Sequence, residues 1–366
     1  MPDQVHVSDV ESLYKAVNEA GNAGKTIVLA PRTYHLTRLD LLDAPRPNGG
    51  RLELQEDMSM SGVIGHRGEV VIDSSDPVKG PAFDIDDGNA GTIRMGRGRQ
   101  TVQWLTVVGG VNSAAGVQTD LAGGTPVLRI AHVVCTGSVR GIDVRNLPTG
   151  AGRRLTVDLD DNEVTGNVTG NGQGIRFVNT AANGASIGAS LHGNRSHGNK
   201  IGFLAANQAS IGASVTIDSH DDRFDDNLIG GLILGGIQGM AATAVANDNV
   251  VNLTMHAGSM ARNRGVIQSP HQFSGGLSVV GGSAATAGAT SRNTVEVSIV
   301  GLKFSDNRET DVKAFGARTP ATAAAPAGTN NTVTVRLQGV SAKADTERVD
   351  SEPGEPAGTN RATIEQ

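Results

Sequence analysis

Hydrophobic side chains in this chain fall into columns when Asn167, Asn199, Asn227, Asn263, Asn307 and Asp345 are aligned, although 32, 28, 36, 44 and 38 residues separate successive anchors. Ten positions before each anchor stand Val157, Ala189, Ile217, Leu253, Val297 and Val335, and eight before stand Leu159, Leu191, Ser219, Met255, Ile299 and Leu337. Three before stand Val164, Ser196, Phe224, Met260, Phe304 and Ala342. The first two columns are two residues apart, the period of a strand. The step from eight to three is odd, so the chain must turn a corner to keep both columns inside. The pattern predicts coils that stack on one another.

A repeat whose core positions hold while its connections vary is a solenoid, because each coil touches only its neighbours. The variable segments 179–188, 205–213, 236–250, 281–293 and 316–331 are rich in Ala, Gly, Ser, Thr and Asn and read as surface loops. Ala185-Ser186-Ile187-Gly188-Ala189-Ser190 and Ala209-Ser210-Ile211-Gly212-Ala213-Ser214 repeat one hexapeptide at a spacing of 24 and read as an internal echo. Ser8 with Glu11 offers a capping box, and Val10, Leu13, Ala16, Val17 and Ala20 follow at helical spacing. The prediction is a single all-β domain, a right-handed parallel β-helix by the crossover rule. Residues 1–25 form an N-terminal cap with a short helix, 26–345 the coils, and 346–366 a polar, flexible tail.

Composition agrees with narrow coils. Of 366 residues 49 are Gly, only 3% are aromatic and 38% hydrophobic, too little to fill a thick core. A net charge of −6 gives no basic footprint for nucleic acid or anionic membranes. No apolar run approaches the ~20 residues that span a bilayer. The single Cys135 excludes an internal disulfide and reads as a buried small hydrophobe. The start Met-Pro-Asp-Gln lacks the charged and apolar regions of a secretion signal. The expected location is therefore cytoplasmic as written, or secreted or periplasmic if a signal has been removed.

A helix followed by Gly24–Leu36 (GKTIVLAPRTYHL), Ser59–Asp73 (SMSGVIGHRGEVVID), Val102–Gly110 (VQWLTVVGG) and the repeated Asp161–Asn167, Gly193–Asn199 and Asp221–Asn227 resembles the right-handed parallel β-helix superfamily of pectate lyases, polygalacturonases and alginate epimerases. The resemblance runs from about residue 8 to 345 and implies the fold, with activity on a carbohydrate. The activity subgroups do not match. Asp160-Asp161, Asp221-Asp222 and Asp225-Asp226 supply paired carboxylates, but the Gly-His-Gly and Arg-x-Lys of polygalacturonases are missing. The epimerases' Asp-Pro-His is missing too, since Val78 follows Asp76-Pro77. Lyases hold calcium with carboxylates; the nearest equivalent, Asp218 with Asp221, Asp222, Asp225 and Asp226, lacks their spacing.

The columns also expose a histidine row. Seven before the anchor stand Asp160, His192, His220 and His256, outward because their neighbours point inward; Asp158, Ser190, Asp218 and Thr254 lie beside them. Coils ~4.8 Å apart would put the imidazoles on one line. Neutral imidazoles beside carboxylates act as general bases or bind a divalent metal, and the competing reading is a solvated ladder. Asn162, Asn194 and Asp222, five before the anchor, are expected at the corner, bonding backbone. Arg140, Asp143 and Arg145 point outward and read as a surface ion pair or a clamp for a sugar carboxylate. Lys303, Arg308, Glu309, Asp311 and Lys313 read as a solvated patch.

Two functions follow. The first is an enzyme on an acidic glycan, a lyase, epimerase or hydrolase, with His220, His192 and His256 as acid/base beside Asp218 and Asp160, in a groove walled by the long loops. A divalent cation such as calcium is the cofactor to expect, if any. The second is a non-catalytic solenoid that binds glycans or partner proteins through its loops. One Trp and two Tyr offer little sugar stacking and favour the second.

Overall fold

The computed structural model describes residues 3–83, 91–110, 113, 115–121, 125–167, 172–238, 243–265, 273, 275–284, 289–317, 328–346 and 360–366. Packing divides the chain into two compact units, Met1–Val144 with Leu155–Arg176, and Arg145–Arg154 with Phe177–Gln366. Each is a run of right-handed parallel β-helix coils.

In the first unit one sheet takes Gln4–Val7, Thr26–Leu29, Ser59–Ser61, Arg99–Gln103, Val127–Ala131 and Arg154–Asp160 in that order. A second takes Leu52–Glu53, Gly91–Arg94, Ala115–Gln118 and Arg140–Asn146, and a third the short strands from Thr33–His35 to Glu163–Thr165. The second unit repeats the scheme. Its first sheet is Ser186–His192, Ser214–His220, Val250–His256, Thr294–Val300, Thr332–Gln338 and Arg361–Glu365. Its second sheet includes Ile201–Gln208, Ile229–Ile237, Leu277–Ser283 and Val312–Phe315.

The predicted register holds. Ala189 pairs with Ile217, Ile217 with Leu253, Leu253 with Val297 and Val297 with Val335. The inward columns are buried, down to 0% exposure at Phe224, whose ring packs 5.1 Å from that of Phe203. Burying such a ring stabilises by about 1.5–3 kcal/mol. The third column weakens toward the end, where Phe304 and Ala342 are only half-buried.

The odd step is made by one residue per coil in left-handed geometry, six before the anchor. Asp161, Gly193, Asp221, Ala257, Gly301 and Gly339 have φ of 49°, 66°, 58°, 56°, 66° and 62°. The next residue then turns inward, and in three of these coils it is a short polar residue, Asn162, Asn194 or Asp222. Asn162 accepts the Val133 N–H at 3.0 Å and donates to the Ile130 carbonyl at 2.8 Å. The anchors form a second ladder: the backbone N–H groups of Asn199, Asn227 and Asn263 donate to Asn227, Asn263 and Asn307 side chains at 3.0, 2.9 and 3.1 Å. A third runs through Asn249, Asn293, Asn331 and Asn360.

Several expectations are corrected. The helix is Val10–Asn18, and its N-cap is Asp9: the Asp9 carboxylate accepts the Ser12 N–H at 2.7 Å while Ser12 Oγ accepts the Asp9 N–H at 3.1 Å. Glu11 instead pairs with Arg46. The variable segments are not wholly loops. Asn179–Thr180, Ala205–Gln208 and Gly281–Ser283 complete second-sheet strands, and 239–242, 285–288 and 318–327 lie outside the described residues. In the expected flexible tail, Arg361–Glu365 is a strand paired with Thr332–Arg336, while 347–359 lie outside the described residues. The hexapeptide echo is out of register by four residues. Ser186 pairs with Ser214, so Ile187 is 1% exposed inside a strand and Ile211 is 41% exposed at a corner.

Candidate functional site

The first sheet's outward face in the second unit carries the histidines. His192, His220 and His256 are in register, each the last residue of its strand. The His220 and His256 rings stack with centroids 4.6 Å apart and planes 10° from parallel. Two residues before His220, hence on the same face, Asp218 Oδ1 lies 3.1 Å from His220 Nε2 and 3.8 Å from His256 Nε2. Three predicted residues thus meet, and their ligand atoms lie within 4.8 Å of one another. His192 shares the row but not this convergence. Asp160 belongs to the first unit, where Arg129 Nη2 is 2.7 Å from its Oδ2 and Arg129 Nε is 3.6 Å from Asp158 Oδ2.

The variable segments lie between a second-sheet strand and the next first-sheet strand, so they enter each first-sheet strand at its beginning. His220 and His256 stand at its end, before the tight corner. Their side chains are 44% and 40% exposed.

The carboxylate cluster around residues 218–226 is dispersed by the corner. Asp221 sits in left-handed geometry, and Asp222 points inward at 1% exposure. Asp225 accepts from the Ala261 N–H and the Ser259 hydroxyl, while Asp226 is held bidentately by Arg262 at 2.8 and 2.7 Å. Burial raises the Asp222 carboxyl to about 6, against hydrogen bonds from Ser219 and Asn194 that favour its ionised form.

Arg140, Asp143 and Arg145 do not form a surface clamp. Asp143 is fully buried, 2.9 Å from Arg176 Nη1 and 3.6 Å from Arg140 Nη1. Its neighbours on the second sheet extend the row to Gln118, Arg94 and Glu53, and Arg94 also meets Asp120 Oδ2 at 2.9 Å. Sequence reasoning missed this network. Its signal was a Gly followed by an inward apolar and an outward polar residue: Gly116-Val117-Gln118, Gly141-Ile142-Asp143 and Gly174-Ile175-Arg176. The late charge patch splits as well: Lys303, Arg308 and Glu309 are exposed, while Asp311 and Lys313 are buried.

A further feature lies on the first sheet's outward face in the first unit. Thr26 pairs with Ser59, the Thr101 N–H donates to the Ser59 hydroxyl at 3.0 Å, and Arg129 pairs in register with both Thr101 and Asp158. This polar row lines a concavity of about 540 Å³ together with Asp57 and Arg99. A second concavity, of about 600 Å³, adjoins it at Thr26 and is lined by Gln4, Ser61 and Gln103. The Arg99 backbone N–H donates to Asp57 Oδ1 at 2.6 Å, but among the described residues its guanidinium has no carboxylate partner, whereas that of Arg129 has two.

No protein-family model and no curated protein matches this chain. Among solved structures it is similar to the A-module of an Azotobacter vinelandii mannuronan C-5 epimerase, with 12% identity and a TM-score of 0.45 over 98% of this chain and 97% of that one.

Proposed function

We propose that the protein is carbohydrate-active and holds an extended acidic glycan along the outward face of the first sheet in its first unit. The observation that carries the reading is the row Thr26, Ser59, Thr101, Arg129 and Asp158 beside the Arg99 guanidinium, which has no carboxylate partner among the described residues. Successive strands place these groups about 4.8 Å apart along the coil axis. Hydroxyls and an arginine–carboxylate pair both donate and accept, as sugar hydroxyls require. Arg99 is left to take a uronate carboxylate in a charge-assisted pair. The test is retention of the full chain on immobilised neutral and uronate polysaccharides. Retention on a uronate polymer is expected, and retention on none contradicts the reading.

A second reading, turnover of such a glycan by proton transfer, is favoured by the 3.1 Å approach of His220 to Asp218 in the second unit. In it Asp218 orients His220, and His220 takes or gives the proton. An assay for unsaturated or epimerised products checks it, with His220→Ala inactive.

A further inference from the structure

We propose that Asp218 Oδ1, His220 Nε2 and His256 Nε2 form a binding site for a first-row transition cation of the zinc type, open to solvent at its fourth position. This goes beyond glycan binding and lies in the other unit, so either reading can fail without the other.

The geometry comes from the fold. His220 and His256 face each other across one strand step in a parallel ladder, and Asp218 precedes His220 by two residues on the same face. The backbone of all three is fixed by the sheet, so little order is lost on binding. Bonds of about 2.0–2.2 Å in a tetrahedral site put ligand atoms roughly 3.4 Å apart. The observed separations from the carboxylate oxygen are 3.1 and 3.8 Å, and all three atoms lie within 4.8 Å. Small side-chain rotations close the difference.

The chemistry of the donors selects the ion. Two imidazole nitrogens and one carboxylate oxygen suit zinc, nickel or copper, whereas calcium takes six to eight oxygens and magnesium keeps most of its water. Both Nε2 atoms approach one carboxylate oxygen, and the two rings stack with centroids 4.6 Å apart. A cation satisfies the three donors together. Protein ligands numbering three, with the site exposed, leave a position for water or for an oxygen of a ligand, the arrangement of a reactive rather than a closed structural site. A bound cation would occupy the lone pair that acid–base use of His220 requires.

The experiment uses the full chain, free of any affinity tag and stripped with a chelator, titrated with Zn²⁺ calorimetrically and with Co²⁺ followed by its visible spectrum. One Zn²⁺ per chain is expected, with Co²⁺ bands of tetrahedral N/O coordination. Asp218→Asn, His220→Ala and His256→Ala should each weaken binding by about tenfold or more, a change of ~1.4 kcal/mol. The control variant His197→Ala should bind like wild type, and excess Ca²⁺ should not compete. Circular dichroism confirms that each variant is folded. Absence of stoichiometric binding by wild type, or equal binding by the His256→Ala variant, overturns the proposal.

Discussion

The Ser219 hydroxyl donates to Asp222 Oδ2 at 2.6 Å inside the coil, so a core position of the strand holds a carboxyl from just beyond the corner of the same coil. The corner makes this contact, because the left-handed Asp221 swings Asp222 back toward the interior. Asn194 completes the shell, donating from its N–H at 2.6 Å and from Nδ2 at 2.8 Å to Oδ1.

Asp222→Asn should stabilise the protein above neutral pH. Burial holds the folded carboxyl at about 6, above the unfolded value of about 3.9. The contribution is therefore fully present below the unfolded value, where the group is protonated in both states, and is lost as pH rises through about 6. The gain from the amide should reach at most about 3 kcal/mol at pH 8 and shrink toward pH 4. Urea midpoints of the two proteins at both pH values check it; an equal difference at pH 4 and pH 8 would contradict it.

Phe224→Ala should cost about 3–5 kcal/mol, since its ring is fully buried against Phe203. Phe304→Ala should cost less than half of that, because Phe304 is half-buried near the last coils. Thermal unfolding of both variants gives the comparison, and similar losses would show that the last coils are packed more tightly than described.

Left-handed corners give a backbone test free of packing. A Cβ on Gly193, Gly301 or Gly339 meets nothing within 4 Å, so alanine there carries only the cost of positive φ, about 1–2 kcal/mol. The reverse change, Ala257→Gly, should stabilise by about 0.5–1 kcal/mol. Melting temperatures moving in opposite directions confirm the corner, and parallel movement contradicts it.

Cys135 should be inert to thiol reagents in the native state. Burial raises its pKa to about 12 and leaves it no solvent contact. Labelling should proceed only through unfolding, with a rate that rises with denaturant; fast labelling in buffer would show that the coil opens locally.

The coil was legible because its inward columns keep their spacing whatever the loops do, and the histidine row followed from the same columns. Asp218, His220 and His256 were placed together on that basis. The polar contacts across the second sheet were not legible. The Gly-apolar-polar tripeptides mark Gln118, Asp143 and Arg176 only locally, and Glu53, Arg94 and Asp120 join the buried network across coils of unequal length. Charge alone misleads there, because a charged residue on an outward face reads as solvated. The hexapeptide shows the opposite error. Identical letters at residues 185–190 and 209–214 suggested equivalence, but pairing is decided by where the inward columns fall, and Ile211 lands on a corner.

The affinity of the full chain for a uronate oligosaccharide, compared between wild type and Arg99→Ala by calorimetry, tests the glycan reading most directly. The Arg99 side chain is exposed and its guanidinium has no carboxylate partner among the described residues, so its removal should leave the melting temperature within a degree or so. Loss of its carboxylate contact should weaken binding by about tenfold, ~1.4 kcal/mol, while binding of the carboxyl-reduced oligosaccharide stays unchanged by the substitution. Equal affinity of wild type and Arg99→Ala for the uronate ligand would contradict the account.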